Sequence, residues 1–481
     1  MRLKREETEI IKLMRIKLAF PLTFKKIAEY TESEFISLND GIAEYITTDT
    51  RELKEGDLFV AIKGETFDGN DYIEKAFENG AVCALCEKAP SELKGASLLI
   101  CDDTVKALGA LAREYLALRS VKKVAVTGSV GKTTTKEFIC SVLSEKYRVH
   151  KTEGNHNNEL GLPYTVLSMP SDTEILITEM GMCARGEIEY LSDIVKPDIA
   201  VITVIGSSHL EHLKTRENIC AAKMEIVHGM NENGYLIVNG DEPLLRAPIY
   251  EKYSPKFLSL TEENSDFRAD NIVSFDSYTE FDFVCEEGSY KMKASAIGRH
   301  IAQAAAFACA VGFKFGMSAQ EINKGLMNYK TEKMRQNIYK IGNITIIDDC
   351  YNASPESMRA SCDVLAALAK EKGSRSVALL GDMKELGEDT RIMHESVGEY
   401  MAKSGLSLLF TYGLIAENYV TGAKRGGMTN DSIFTNPDVA SPEKSGEALV
   451  KHLNDGDILL IKASRAMAAE KIINYLKEHI N

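Results

Sequence analysis

Val124-Ala125-Val126-Thr127-Gly128-Ser129-Val130-Gly131-Lys132-Thr133-Thr134-Thr135 leads from an apolar strand through a glycine turn into a helix, and helical patterning continues through Lys136-Glu137-Phe138-Ile139. The physical content of that order is a phosphate cradle. Glycines let backbone N–H groups turn inward, the helix N-terminus adds positive potential, Lys132 supplies a point charge, and a threonine hydroxyl can hold Mg²⁺. Val126 stands where the full P-loop pattern has its first glycine, so the shorter form Gly128-x-x-Gly131-Lys132-Thr133 remains. The segment implies a nucleoside triphosphate seated on Gly128, Ser129, Val130, Gly131, Lys132, Thr133 and Thr134.

Around this turn, from Val121 to about residue 330, apolar runs at Val121–Val126, Ile175–Thr178, Ile199–Ile205 and Tyr235–Val238 alternate with helical patterns. That alternation predicts a mostly parallel sheet covered by helices, with ligands at the carboxyl ends of its strands. Polar residues collect there: Glu179, Ser207-Ser208-His209 and Asn239-Gly240-Asp241-Glu242-Pro243. Residues from about 333 onward repeat the alternation, with strands expected at Ile344–Ile347, Val377–Leu380, Leu406–Phe410 and Ile458–Ile461. Their ends carry Asp348-Asp349-Cys350-Tyr351-Asn352, Gly381-Asp382-Met383, Tyr412-Gly413 and Lys462-Ala463-Ser464-Arg465. No Gly-x-Gly-x-x-Gly follows any of these strands, so the expectation is an open Rossmann-like sheet without a dinucleotide fingerprint. Ahead of the glycine turn, residues 18 to about 119 hold short strands, among them a buried one over Leu58–Ile62, and the triplet Asp49-Thr50-Arg51.

The fold class expected is therefore α/β in three domains: a small α/β domain at 18–119, a central P-loop-type domain at 120–332 and a Rossmann-like domain at 333–481. Residues 1–17 read as a charged extension, within which Met14 is a second candidate initiator. A chain of 481 residues exceeds what one core supports. Apolar residues at 44% and charged residues at 27% exclude a disordered chain, and no apolar run reaches membrane-spanning length. The net charge of −14 argues against nucleic acid as a bulk partner. The ten cysteines are singletons apart from Cys83-Ala-Leu-Cys86, which has no second pair to complete a zinc site. Free thiols in a reducing cytoplasm are the expectation.

Several residues carry chemistry in this context. Glu179 ends a central strand, where a carboxylate either binds Mg²⁺ or stands solvated. His209 and His212, three apart, can share a helix face, with one of them a metal or phosphate contact. Lys223, in Ala221-Ala222-Lys223-Met224-Glu225-Ile226, reads from spacing alone as an exposed lysine whose stem lies along a helix. The loop Gly154-Asn155-His156-Asn157-Asn158 is rich in amide donors and acceptors and suits a purine, a ribose or a peptide.

Taken together these residues resemble the Mur ligase family, and within it the type that adds a dipeptide. The resemblance covers the chain from about residue 18. It rests on Asp49-Thr50-Arg51 with Gly56-Asp57-Leu58-Phe59-Val60-Ala61, on the glycine turn, and on Gly154-Asn155-His156-Asn157-Asn158 with Glu159-Leu160-Gly161-Leu162-Pro163. It rests further on Glu179-Met180-Gly181, Ala222-Lys223-Met224-Glu225-Ile226, Asp348–Pro355 and Gly381-Asp382-Met383-Lys384-Glu385-Leu386-Gly387. The resemblance implies a monomeric, cytoplasmic ligase that uses ATP and Mg²⁺ to join D-Ala-D-Ala to UDP-MurNAc-tripeptide through an acyl phosphate. By the same likeness Lys132, Lys223 and His209 are catalytic, and Thr133, Glu179, His209 and a carbamylated Lys223 serve the metal. Asn157, Asn158, Arg335, Asp349 and Asn352 join the glycine turn around the nucleotide. Asp49, Thr50, Arg51, Asp382, Glu385, Ser464 and Arg465 face the other substrates. Two departures stand out: Thr50 replaces the usual serine, and Ala304 replaces the asparagine four residues after His300 that reads adenine. The rival readings are a sibling ligase adding one amino acid, a folylpolyglutamate synthase, and a nucleotide-binding protein without ligase activity. For the last, Asn323-Lys324-Gly325-Leu326 lacks the aspartate that guanine recognition wants.

Overall fold

The computed structural model describes residues 15–37, 40–64, 67–91, 95–246 and 253–480. Most of the expected extension, including Met14, lies outside them. The first strand, Ile16–Thr23, takes in Lys17.

Two compact units organise the chain. The first runs up to Thr127 and adds Lys146–Val201 and Met224–Leu236. The second is Gly128–Glu145, Ile202–Lys223 and Ile237–Asn481.

In the first unit a six-stranded sheet has the spatial order Ile16–Thr23, Ile42–Thr47, Asp57–Val60, Ala81–Cys86, Ser97–Ile100, Glu34–Ile36. Its inner strands are parallel and its two outer pairings antiparallel. The strand expected over Leu58–Ile62 is Asp57–Val60, buried at every residue. Cys83 and Cys86 lie on one such buried strand, and all ten cysteines are free thiols. Burial pushes the Cys86 thiol up to about 12, so it is inert as a nucleophile at neutral pH.

A second sheet, of nine strands, begins in this unit with the order Tyr235–Asn239, Ile199–Ile202, Lys122–Thr127, Ile175–Glu179, Val149–Lys151. The pairings of Ile175–Glu179 with both of its neighbours are parallel. The apolar run Ile199–Ile205 stops being a strand at Ile202. From Thr203 the chain turns to serve the phosphate loop.

The second unit contains the other half of that sheet, in the order Gly288–Ala294, Thr279–Cys285, Phe267–Ser274, Lys256–Ser259, Tyr235–Asn239. The last two pairings are parallel, and the others form antiparallel hairpins. The hairpins are an addition to the expected parallel core. Along Thr279–Cys285 burial alternates at every residue, so one face packs inward and the other stays partly open.

The third sheet has the order Asn337–Ile341, Ile344–Asp349, Ile458–Lys462, Ser376–Gly381, Leu408–Tyr412, Ile433–Asn436. All its pairings are parallel except the first. Its strands bury alternate residues in two different cores. Ile458 and Leu460 join Met358, Leu365, Val397 and Tyr419, whereas Leu459 and Ile461 join Leu449, Ile472 and Leu476. Helices therefore cover both faces, which is why these strands read as unbroken apolar runs.

Candidate active site

The phosphate loop is built as its residue types demand. Gly128 has φ +151 and Gly131 has φ +84, values that residues with a Cβ rarely adopt. A Cβ on Gly128 would collide with the Thr203 hydroxyl. Thr203 Oγ1 donates to the Val130 carbonyl at 2.7 Å, and the Ser129 N–H donates to the Val204 carbonyl at 2.7 Å, so the segment beyond Ile202 fixes the loop. The helix Lys132–Leu143 starts at Gly131 without a side-chain cap, so the positive end of its dipole faces the loop where an anion would sit. Ser129 Oγ is buried with no hydrogen-bond partner. Lys132 Nζ donates to the Gly128 carbonyl at 2.9 Å. An orphaned hydroxyl, a helix N-terminus and a lysine on one glycine turn fit the phosphates of a nucleotide.

In the first unit, Glu179 is the last residue of its strand and 2% exposed, which removes the solvated alternative for it. Its N–H donates to Thr152 Oγ1 at 3.1 Å, and Asn157 Nδ2 donates to Oε1 at 2.8 Å. Asn158 Oδ1 accepts from the N–H groups of Leu160 (3.2 Å) and Gly161 (2.9 Å), so it shapes the entry to the helix Gly161–Leu167. Arg51 is exposed and clasps Asp49 with two nitrogens, at 2.8 Å and 2.6 Å, while the Thr50 carbonyl accepts from Asn79 Nδ2 at 2.8 Å. This arginine is held ready at the surface by its own carboxylate.

In the second unit, His209 precedes the helix Leu210–Leu213 at φ 66, so it does not share a helix face with His212. Its Nδ1 lies 2.6 Å from Glu385 Oε2, and the Glu211 N–H donates to the Glu385 carbonyl at 3.1 Å. Contact with His209 holds the Glu385 carboxyl below its ordinary range. Ser207 Oγ donates to Glu356 Oε1 at 2.8 Å. Lys223, expected to be exposed, is 1% exposed near the end of the helix Arg216–Met224. Ile219, Cys220 and Ala222 of the same helix are buried as well, so this stretch does not lie open to solvent, and a buried ammonium persists only where its charge is compensated. Arg335 lies over the Tyr351 ring, 4.0 Å from guanidinium carbon to centroid. Asp349 accepts from Lys462 Nζ (2.5 Å) and Ser361 Oγ (2.6 Å), and Lys462 Nζ also donates to the Asn352 carbonyl at 3.1 Å. Among the described residues no three His, Cys, Asp or Glu side chains gather as a metal cage. Mg²⁺ does not require one, since it keeps waters and phosphate oxygens around one or two carboxylates.

Three family models cover most of the chain: the Mur ligase family catalytic domain at 43–116, the Mur ligase middle domain at 126–312, and the Mur ligase glutamate ligase domain at 334–465. A Bacillus subtilis protein named UDP-N-acetylmuramoyl-tripeptide–D-alanyl-D-alanine ligase is 38% identical over 95% of this chain and 98% of its own. The chain belongs to the Mur ligase family. The MurF structure from Acinetobacter baumannii superposes with a TM-score of 0.86 at 30% identity, covering 96% of this chain and all of that one. MurF from Thermotoga maritima, solved in complex with ADP, gives 0.81 at 32% identity over 90% of this chain and 97% of its own. This Mur ligase therefore has three α/β domains of that kind, the central one around a mostly parallel sheet.

Other predicted positions in the Mur ligase are engaged internally. Asp382 is buried and accepts from the Ala416 N–H (2.7 Å) and Lys384 Nζ (3.1 Å). Ser464 Oγ accepts from the Lys384 N–H at 3.1 Å, and Arg465 pairs with Glu470 at 2.8 Å. Ala304 is buried within the helix Arg299–Lys314, and its neighbour Gln303 donates to Asn239 Oδ1 at 3.2 Å. Sequence reasoning passed over Lys136, Glu332, Gln336, Glu356, Ser361 and Lys462. The only local signals were a second lysine one turn beyond Lys132 and a lysine ending the apolar run Ile458–Ile461.

Proposed function

We propose that this chain is an ATP-dependent ligase that joins D-Ala-D-Ala to UDP-MurNAc-tripeptide, a step of peptidoglycan precursor synthesis. The observation that carries the reading is likeness along nearly the whole chain, at 38% identity, to a ligase of that name. A carboxylate is a poor electrophile, and phosphorylating its oxygen supplies a leaving group that an amine can displace. Phosphoryl transfer asks the protein for positioning and for neutralisation of charge. In this reading the N–H groups of Gly128–Thr134 and the Lys132 ammonium hold the β- and γ-phosphates. Thr133, Glu179 and His209 hold Mg²⁺, which when bound neutralises phosphate oxygens. Lys223 adds CO₂ through its neutral amine, releasing a proton, and the resulting carbamate offers an anionic oxygen where an ammonium would repel the metal.

Asn157, Asn158, Asp349 and Asn352 line the nucleotide, and Arg335 faces the γ-phosphate. Asp49, Thr50 and Arg51 serve the UDP-sugar, with Asp382, Glu385, Ser464 and Arg465 toward the peptide and dipeptide. The domains bounded near 18–119, 120–332 and 333–481 divide these tasks, in a monomer working in the cytoplasm. No helix among the described residues is long and apolar enough to cross a membrane.

The test is a substrate panel with purified protein, following ADP release. Release is expected with a UDP-tripeptide plus D-Ala-D-Ala, using tripeptides ending in lysine and in diaminopimelate. Release with a single amino acid and none with the dipeptide would sink this reading.

A further inference from the structure

Arg335 is carried on a strained step of the chain. Met334 has φ 63 and Gln336 has φ 53, so a left-handed residue stands on each side of it. Such a conformation persists only where the surroundings over-determine it, and here they do. The Tyr351 N–H donates to the Met334 carbonyl at 3.1 Å, and the Gln336 N–H donates to Asp349 Oδ1 at 3.2 Å. Gln336 Nε2 donates to the Ile297 carbonyl at 2.7 Å, and its Oε1 lies 2.6 Å from His300 Nε2. Asp349 is itself pinned by the buried Lys462. On the other side, the Glu332 carbonyl accepts from Asn337 Nδ2 at 2.9 Å and from the Arg335 N–H at 3.3 Å.

The Glu332 side chain reaches two cations at once. One carboxylate oxygen is 3.8 Å from Lys136 Nζ and the other is 4.0 Å from Arg335 Nε. Lys136 is fully buried, contacts Glu137 at 2.9 Å, and sits one turn beyond Lys132 on the helix that begins at the phosphate loop. Phe138 of the same helix stacks on Tyr329, three residues before Glu332, at 3.7 Å between centroids. A line of alternating charge thus runs from the phosphate-loop helix to the arginine. Burial raises the Glu332 carboxyl, the neighbouring Glu137 carboxyl raises it further through a hydrogen bond and its charge, and the Lys136 and Arg335 cations oppose both.

We propose that Glu332 is a positioning residue: it ties the buried Lys136 ammonium to the Arg335 guanidinium, and so sets where Arg335 points during phosphoryl transfer. The inference rests on the functional reading above. A group that orients a charge used mainly in the transition state affects kcat more than substrate binding.

The test uses the full chain with ATP, a UDP-tripeptide and D-Ala-D-Ala. Glu332→Gln, which keeps the shape and removes the charge, is expected to lower kcat about 10-fold while KM for ATP stays within about 2-fold. Placed on Arg335→Ala, the same change is expected to cost nothing more, because the two residues act as one unit. Should Glu332→Gln unfold at the assay temperature, Glu332→Asp replaces it, with a kcat between wild type and Arg335→Ala. Wild-type kcat in the Glu332 variants, or an equal loss with and without Arg335, overturns the inference in an active enzyme. A wild-type chain that releases no ADP with these substrates overturns the functional reading, and this inference with it.

Discussion

Ser129 buries a hydroxyl that finds no partner in the folded chain. Leaving such a group unpaired costs about 1–3 kcal/mol, and a nucleotide phosphate on the same loop would recover it. Ser129→Ala is therefore expected to raise the stability of the ligand-free protein by about 1 kcal/mol while weakening ATP several-fold. Thermal unfolding and calorimetric titration on the one variant read both effects. Lys223 poses the opposite case. Its spacing reads as a surface lysine, yet it is buried. Lys223→Ala is expected to lower turnover at least about 100-fold if its carbamate carries charge at the centre, and added short carboxylates are expected to restore part of it. Turnover close to wild type in that variant would remove the carbamate.

At the scale of elements, the helix Glu187–Val195 ends on Lys196, exposed and left-handed at φ 52, with Pro197 following. That is the position glycine occupies at helix ends without steric cost. Lys196→Gly is expected to stabilise the protein by about 1 kcal/mol, measured by urea unfolding, with ligation rates unchanged. The parallel strands were legible because burial on both faces leaves continuous apolar runs; Ile175–Glu179 and Ile458–Lys462 differ from expectation by one residue. The strands Phe267–Ser274, Thr279–Cys285 and Gly288–Ala294 escaped that search. With one face partly open, half their positions are polar, and no apolar run marks them. The strand expected at Leu406–Phe410 is Leu408–Tyr412, shifted because Leu406 packs in the core ahead of it.

For the molecule as a whole, four histidines bear on acid stability. Burial lowers His150, His156, His300 and His394 below their ordinary value of 6.5. His394 shows why the neutral form is built in: its Nδ1 is 2.7 Å from the Thr390 carbonyl, and its Nε2 accepts from the Met383 N–H at 3.0 Å. Each such group favours the folded state fully above pH 6.5 and loses that contribution as pH falls through its lowered folded value. Unfolding between pH 7.5 and 5.5 is therefore expected to take up protons and to occur at falling temperature. Each histidine contributes at most about 1.4 kcal/mol per pH unit. Calorimetry in buffers of different ionisation enthalpy counts the protons, and His300→Gln is expected to flatten the slope.

Contiguous residues were enough to read the glycine turn, the strand that ends on Glu179 and the alternation behind the parallel parts of the second and third sheets, because backbone conformation and burial period are local properties. Folding supplied what distance along the chain conceals. Lys136 meets Glu332, His209 meets Glu385, and Asp349 meets Lys462 across more than a hundred positions. Such pairs carry no periodicity, since an ion pair depends only on where packing brings two charged ends, and that is a property of the assembled core.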